Sequence, residues 1–349
     1  MVTLQSIAEK SGVSLRTVSV ALNGDPAAGR IAPQRVLQIR SIAADLGYRP
    51  HAGARLLRQR RFKQIGLAFR VDSVSRLAHS QVLALLLGIN DALQPHNYVM
   101  SLIPLLDSSG PPDMENGHAS RALRERALDN LIVVESVPDS VAAWVRDRFP
   151  DSVWANADVW QPTRCVRRDE THAGRLAVEH VRERGYKRIV YVERVNAIHH
   201  SSALRRNAAL QAAAGCEVQV VGLSLEPTLR PTWAPTLKQL ILPGDAIVVA
   251  DVYLARALQA VLVELNLRPG VDVAVCCCDN SDDLYETWPQ LARVSFDRFA
   301  LGHAAGTIAL AGLIDADAPQ NSLIMPVTLI AGTTCPARCS LSLFSEELR

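Results

Sequence analysis

The sequence predicts an all-α helix-turn-helix head with a hinge helix, followed by an α/β body of two parallel-sheet, Rossmann-like lobes. Three observations predict it. The chain opens with VTLQSIAEKSGVSLRTVSVALNG (2–24), two short amphipathic stretches pinched around Gly-Val-Ser. Residues 1–63 hold eleven Lys and Arg against three acidic residues, a net +8, while the remaining 26 basic and 32 acidic residues carry −6. From Gln64 onward short apolar runs alternate with helical patterns, the rhythm of parallel sheets covered by helices. At 349 residues the chain is long for one core, so a separate small head and a larger body fit its length.

The elements follow in order. Thr3 caps a first helix whose apolar residues Leu4, Ile7 and Ala8 keep helical spacing, and Gly12 ends it. Ser14 caps a second, with Val18, Ala21 and Leu22 facing inward and Leu15, Arg16, Ser19 and Val20 facing outward. Helices joined by so tight a turn cross steeply. A third helix starts at Pro33, carries Val36, Ile39, Ile42, Ala43 and Leu46 as its apolar stripe, and closes at Gly47. HAGARLLRQRR (51–61) places Leu56 and Leu57 among Arg55, Arg58, Arg60 and Arg61. Alone it is too short and too polar for a stable helix, and a polyanion would order it. In the body, IGLAF (65–69), YVMSLIPLL (98–106), LIVVE (131–135), RIVYVE (188–193), AIVVA (246–250) and VAVCCC (273–278) read as buried strands. Helical patterns cover 78–94, 172–185, 202–214, 253–265 and 299–313.

Several classes are excluded. No run of about 18 apolar residues offers a membrane span, and the first residues lack the apolar region of a secretion signal. Seven cysteines in a chain of this length read as reduced thiols in a cytoplasm. In a strand Cys276 and Cys278 point one way and Cys277 the other, so the three do not converge on one ion. Cys335 and Cys339 lack a second pair, and His199-His200 read as surface residues of a loop. There is no G-x-G-x-x-G, Walker-type or G-x-S-x-G motif. The expectation is therefore a protein with no catalytic residue, no metal and no cofactor.

The head resembles the lactose-repressor/galactose-repressor (LacI/GalR) family of bacterial transcription regulators. The likeness runs through TL-x-x-IA-x-x-x-GVS-x-x-TVS-x-x-LN (3–23), LGYRP (46–50) and AR-x-L (54–57). It continues through ETHAGRLAVEHVRERGYKRI (170–189), LARVSFDRFALGHAA (291–305) and PVTLIAG (326–332). The resemblance implies a head at 1–49, a hinge at 50–63 and a periplasmic-binding-protein-like receptor at 64–342, with a tail at 343–349. It implies a first lobe of about 64–163 plus 293–323 and a second of about 164–292 plus 324–342. A homodimer would bind a pseudo-palindromic double-stranded operator as a repressor, and a small effector between the lobes would set its affinity.

The resemblance also distributes roles. Thr3, Ser14, Thr17, Ser19 and Asn23 would hold phosphates or the frame, and Leu15, Arg16 and Val20 would face bases. Arg49 would meet DNA from the end of the head, and His51, Ala54, Arg55, Leu57 and Arg58 would serve the hinge, with Leu57 wedged into the minor groove. Arg70, Asn156, Arg206 and Asp279 would line the effector cleft, and Asp251 joins them by its place at a strand end. Three departures touch the operator: Val20 in place of the usual Arg, a longer loop GDPAAGR (24–30), and His51 in place of Asn. Two touch the pocket: Ala250-Asp251 replaces an Asn-Asp pair, and Cys278 an aromatic residue. A cleft that loses an amide and a ring yet keeps Arg70 and Arg206 suits a sugar acid or phosphorylated sugar. Two rival classes remain at this level, a transport- or sensor-type binding protein without a DNA role, and an enzyme fused to a DNA-binding head. A secretion signal would mark the first, and turnover of a bound ligand the second.

Overall fold

The computed structural model describes residues 2–23, 31–48, 61–70, 80–105, 120–125, 127–197, 199–315 and 317–338. The chain divides into two compact units, Met1–Phe62 and Lys63–Arg349.

In the first unit, α1 spans Leu4–Ser11, α2 Leu15–Asn23 and α3 Pro33–Asp45. The Thr3 hydroxyl accepts the Ser6 N–H at 3.3 Å, and the Ser14 hydroxyl accepts that of Thr17 at 3.2 Å. Each satisfies a donor that a helix start leaves orphaned. Gly12 closes α1 at φ +65°, in the left-handed region where a side chain is strained. Tyr48 N–H returns to the Ala43 carbonyl at 2.8 Å to close α3. The three helices bury Ile7, Ala8, Val18, Ala21, Ile39 and Ala43 together. Arg35 donates to the Ser11 carbonyl at 2.9 Å, and Arg40 to that of Ala21 at 3.3 Å. Two of the head's positive charges thus sit on the negative carbonyl ends of α1 and α2.

In the second unit the strands are β1 Gln64–Arg70, β2 Val99–Leu105, β3 Asn130–Val134, β4 Val153–Ala155, β5 Cys165–Arg168 and β6 Arg188–Arg194. They continue as β7 Glu217–Leu223, β8 Ala246–Val249, β9 Ala274–Cys277, β10 Ala292–Ser295, β11 Leu323–Met325 and β12 Thr328–Ile330. The longer helices are α4 Ser80–Leu93, α5 Asp139–Arg148, α6 Glu170–Glu183, α7 His200–Ala212, α8 Trp233–Leu240, α9 Val252–Glu264 and α10 Arg298–Ile314. Two six-stranded sheets result, ordered β11-β5-β4-β3-β1-β2 and β12-β10-β9-β8-β6-β7. Every pairing is parallel except β10 with β12. On one face of the first sheet, Ile89 and Leu93 of α4 join Leu301 and Ala305 of α10. On the other, Val141 and Val145 of α5 cover Trp154 and Cys165. The second sheet carries its own core, in which Val248, Val275 and Cys276 are fully buried. Among the described residues no helix is long and apolar enough to cross a membrane.

The lobe boundaries differ from those expected. β5 lies beyond residue 163 yet pairs with β4 in the first sheet, through Trp154 with Cys165 and Ala155 with Val166. β10, expected in the first lobe, pairs with β9 in the second sheet, and β11 runs beside β5 through Met325. The chain therefore crosses at about 169, 296 and 326. β4, β5 and β11 are strands of only three or four residues, too short to show a period of their own.

His180 on α6 is 2% exposed, and burial together with Arg184 pushes its pKa down to about 4 against a backbone hydrogen bond with Ala331. Between its ordinary 6.5 and about 4 the unfolded chain binds this proton and the native chain does not. Stability therefore falls as pH falls through that window, by about 3 kcal/mol at most. Urea midpoints measured from pH 7 to 4.5 are expected to drop less steeply in His180→Gln than in the parent protein.

Candidate functional site

On the head, the first turn of α2 presents an exposed pair, Leu15 at 48% exposure and Arg16 beside it. The Ser14 and Thr17 hydroxyls lie 2.9 Å apart at the same helix start. Val20 is half-buried, and Thr3 stands at the start of α1. Ser19 corrects the sequence reading: it is 7% exposed and faces the interior, because α2 packs on both α1 and α3. Its place is in the frame. Asn23 is the last residue of α2. Arg49, His51, Ala54, Arg55, Leu57 and Arg58 lie outside the described residues.

In the second unit, the carboxyl ends of the parallel strands of the two sheets face each other, where open α/β sheets bind ligands. Buried charges join them. Arg168 at the end of β5 donates to Asp279 at 2.7 Å and to the Cys278 and Val294 carbonyls. Arg298 at the start of α10 reaches the same Asp279 oxygen at 2.9 Å, and the Asn280 N–H donates to it at 2.8 Å. Arg205 on α7 bonds Glu170, donates to the Ala250 carbonyl at 2.8 Å and lies 3.6 Å from the second Asp279 oxygen. The Phe296 ring lies beside two guanidiniums, with Arg168 at 4.7 Å and Arg298 at 4.4 Å from its centroid. Burial alone would push the Asp279 carboxyl up, but Arg205, Arg298 and Arg168 outweigh it and hold it far below the carboxylate range. Glu170 is likewise lowered, by Arg205 and then Arg168 against burial.

This geometry revises the predicted pocket. Asp279, 7% exposed, is committed to three arginines at the crossovers. Asp251 accepts the Tyr253 and Leu254 N–H groups as the cap of α9, and pairs with Arg194 at 2.6 Å. Both carboxylates are engaged by groups of the second unit itself. Arg206 is 47% exposed and 3.6 Å from Glu193, whereas its neighbour Arg205 is the buried arginine. One residue turns a helix by about 100°, so the contact of α6 with α7 selects Arg205. Arg70 ends β1 half-buried. Asn156, at φ +53° after β4, donates to Glu135 at 2.9 Å, and its own carbonyl oxygen on the side chain is buried without a hydrogen-bond partner. A concavity of about 230 Å³ lies under α5, lined by Val137, Asp139, Arg146, Trp154 and Asp158, and none of the five predicted residues lines it.

The histidine pair is a second correction. His199 caps α7 and His200 begins it, and their side chains are 14% and 10% exposed. They touch the first lobe, His199 Nε2 at 2.8 Å from the Asn156 carbonyl and His200 Nδ1 at 3.1 Å from Asp158. Residues 199–200 look like a surface loop in sequence because the groups that bury them come from 42 and 43 positions earlier. Arg168, Glu170, Arg205 and Arg298 escaped the sequence reading for the same reason.

Two family models match the chain. Residues 3–51 match that of the bacterial regulatory proteins of the lacI family, and residues 178–335 that of a periplasmic binding protein-like domain. The HTH-type transcriptional regulator GalR of Escherichia coli (strain K12) is 25% identical over 203 residues, 55% of this chain and 53% of GalR, so the chain spans about half the length of that relative. The lactose operon repressor of Escherichia coli (strain K12) is 24% identical over 346 residues, covering 95% of this chain and 90% of the repressor. The solved lac repressor dimer bound to operator and the anti-inducer ONPF superposes with a TM-score of 0.75 at 21% identity, covering 96% of this chain and 99% of that one. The transcriptional regulator CelR in complex with cellobiose gives 0.62 at 18% identity, over 96% and 100%. At these identities the structural likeness is one of fold.

Proposed function

We propose, on the premise that the chain belongs to the lacI family of bacterial regulatory proteins, that it is a DNA-binding transcriptional repressor governed by a small metabolite held between its two lobes. The observation that carries this reading is the exposed Leu15–Arg16 pair on a capped helix of a +8 head. A recognition helix meets base edges with its first turn, and an arginine there forms a bidentate contact with guanine. Two heads related by a dimer axis would read two half-sites of a pseudo-palindrome. Leu83 and Leu87, one turn apart on α4, are 54% and 51% exposed, and Leu102 on the neighbouring edge strand β2 is 51% exposed, an apolar surface suited to a second copy. The lac repressor was solved as such a dimer on its operator.

The effector would lie at the carboxyl ends of the two sheets, met by Arg70, Asn156 and Arg206. Two arginines at that seam favour a sugar acid or a phosphorylated sugar. Effector and operator are coupled reciprocally, whichever sign the coupling has. The protein acts on chromosomal DNA in the cytoplasm, and its named relatives are regulators rather than enzymes.

Anisotropy titrations of palindromic promoter fragments test the reading. Affinity is expected to fall on the order of 10³-fold between 50 and 200 mM salt. Arg16→Ala is expected to weaken specific binding about 10- to 100-fold while leaving non-specific binding nearly unchanged. The absence of any salt-sensitive preference for a palindrome, with or without sugars and sugar acids, would overturn it.

A further inference from the structure

We propose that Asp158, His199 and His200 form a binding site for a divalent transition-metal ion of the Zn²⁺ type, one that clips the first lobe to the second. One ligand atom from each of the three lies within 4.8 Å of the others. Asp158 follows β4 in the first lobe, and the two histidines open α7 in the second, so the cluster spans the seam. The two imidazole rings lie 4.2 Å apart between centroids, and the Asp158 carboxylate accepts the His200 N–H at 2.7 Å.

The His200 side chain is nine-tenths buried, and its Nε2 has no hydrogen-bond partner. An ion shared with Asp158 would take His200 Nδ1, the ring nitrogen now 3.1 Å from that carboxylate, in exchange for this contact. Glu135 stands beside the cluster, its carboxylate 3.5 Å from His199 Nε2. Its φ of +64° and the +53° of Asn156 hold both strand ends in the left-handed region, a conformation that a non-glycine residue adopts at a cost.

The donor set selects the ion. Two imidazoles with one or two carboxylates suit zinc and its borderline neighbours, whereas Mg²⁺ and Ca²⁺ take oxygen ligands. Tetrahedral zinc with bonds of about 2.0–2.1 Å places its ligands about 3.3 Å apart. The three groups need only draw together by about 1.5 Å, within the reach of side-chain rotation or of a small approach of the lobes. Since that approach is what an ion would reward, uptake holds the seam shut. His199 gives up its hydrogen bond to the Asn156 carbonyl in the exchange.

This site stands apart from the regulator reading: a chain that ignored every operator would still take up zinc. The test is calorimetric titration of EDTA-treated, full-length protein with ZnCl₂. One zinc ion per chain is expected, with no heat from MgCl₂ or CaCl₂. His200→Gln and Asp158→Asn, each near-isosteric, are expected to lose affinity at least about 10-fold while their circular dichroism stays that of the parent. Should either variant misfold, Co²⁺ absorption of the parent protein decides. Visible bands of nitrogen–oxygen ligation support the site, and a thiolate charge-transfer band would assign the metal to cysteine and overturn it. Absence of zinc uptake, or uptake unchanged in both folded variants, overturns it as well.

Discussion

Asp279→Asn is expected to lower the unfolding free energy of the second unit by about 3–5 kcal/mol, and Arg168→Met by about 1–3 kcal/mol. Charge balance sets the order. The crossover cluster holds Arg168, Arg205 and Arg298 against Glu170 and Asp279, one positive charge in excess. Neutralising Asp279 leaves three buried or nearly buried arginines facing one carboxylate, and breaking a buried pair by removing one partner strands the other in a low dielectric. Removing Arg168 brings the remaining charges into balance. What is lost then is the 2.7 Å bond to Asp279, whose other cations remain, and the hydrogen bonding of the Cys278 and Val294 carbonyls. All five tryptophans (Trp144, Trp154, Trp160, Trp233 and Trp288) lie in this unit, so tryptophan fluorescence in urea reports its unfolding alone. Equal midpoints for Asp279→Asn and the parent would return Asp279 to the role of a ligand reader.

Gly174→Val is expected to cost about 3 kcal/mol, the upper part of the range for overpacking. A Cβ at Gly174 falls 2.2 Å from the Arg205 carbonyl oxygen, a backbone atom that no rotamer change moves aside. Helices α6 and α7 must separate to admit it. The same two helices carry the Glu170–Arg205 pair, so the insertion also draws apart the charges that hold the crossovers. The added loss links packing to electrostatics, and a double-mutant cycle with Arg205→Met measures it as a departure from additivity. An additive cycle, or a thermal midpoint unchanged by Gly174→Val, would refute the linkage.

What could be read without coordinates was local. Thr3, Gly12 and Ser14 mark helix ends by side-chain and backbone chemistry that acts within three residues, and all three act as expected. The buried strands around residues 65–69, 131–135, 188–193 and 246–250 announced themselves by apolar runs whose length no turn interrupts. The LacI-type motif in the head held because its residues are contiguous. Ser19 went astray since a helix of nine residues packed on two neighbours has two inner faces, and its apolar stripe shows one.

Tertiary structure alone decided which polar groups are buried. In sequence Arg205 and Arg206 are equivalent, and so are Asp251 and Asp279 at their strand ends. The fold buries Arg205, turns Arg206 outward and gives both carboxylates cationic partners. Likewise Asp158 meets His200 across 42 positions of sequence. The physical reason is range: caps and periodicity are written in neighbouring residues, whereas buried charges choose partners only after the two sheets have brought distant strand ends together.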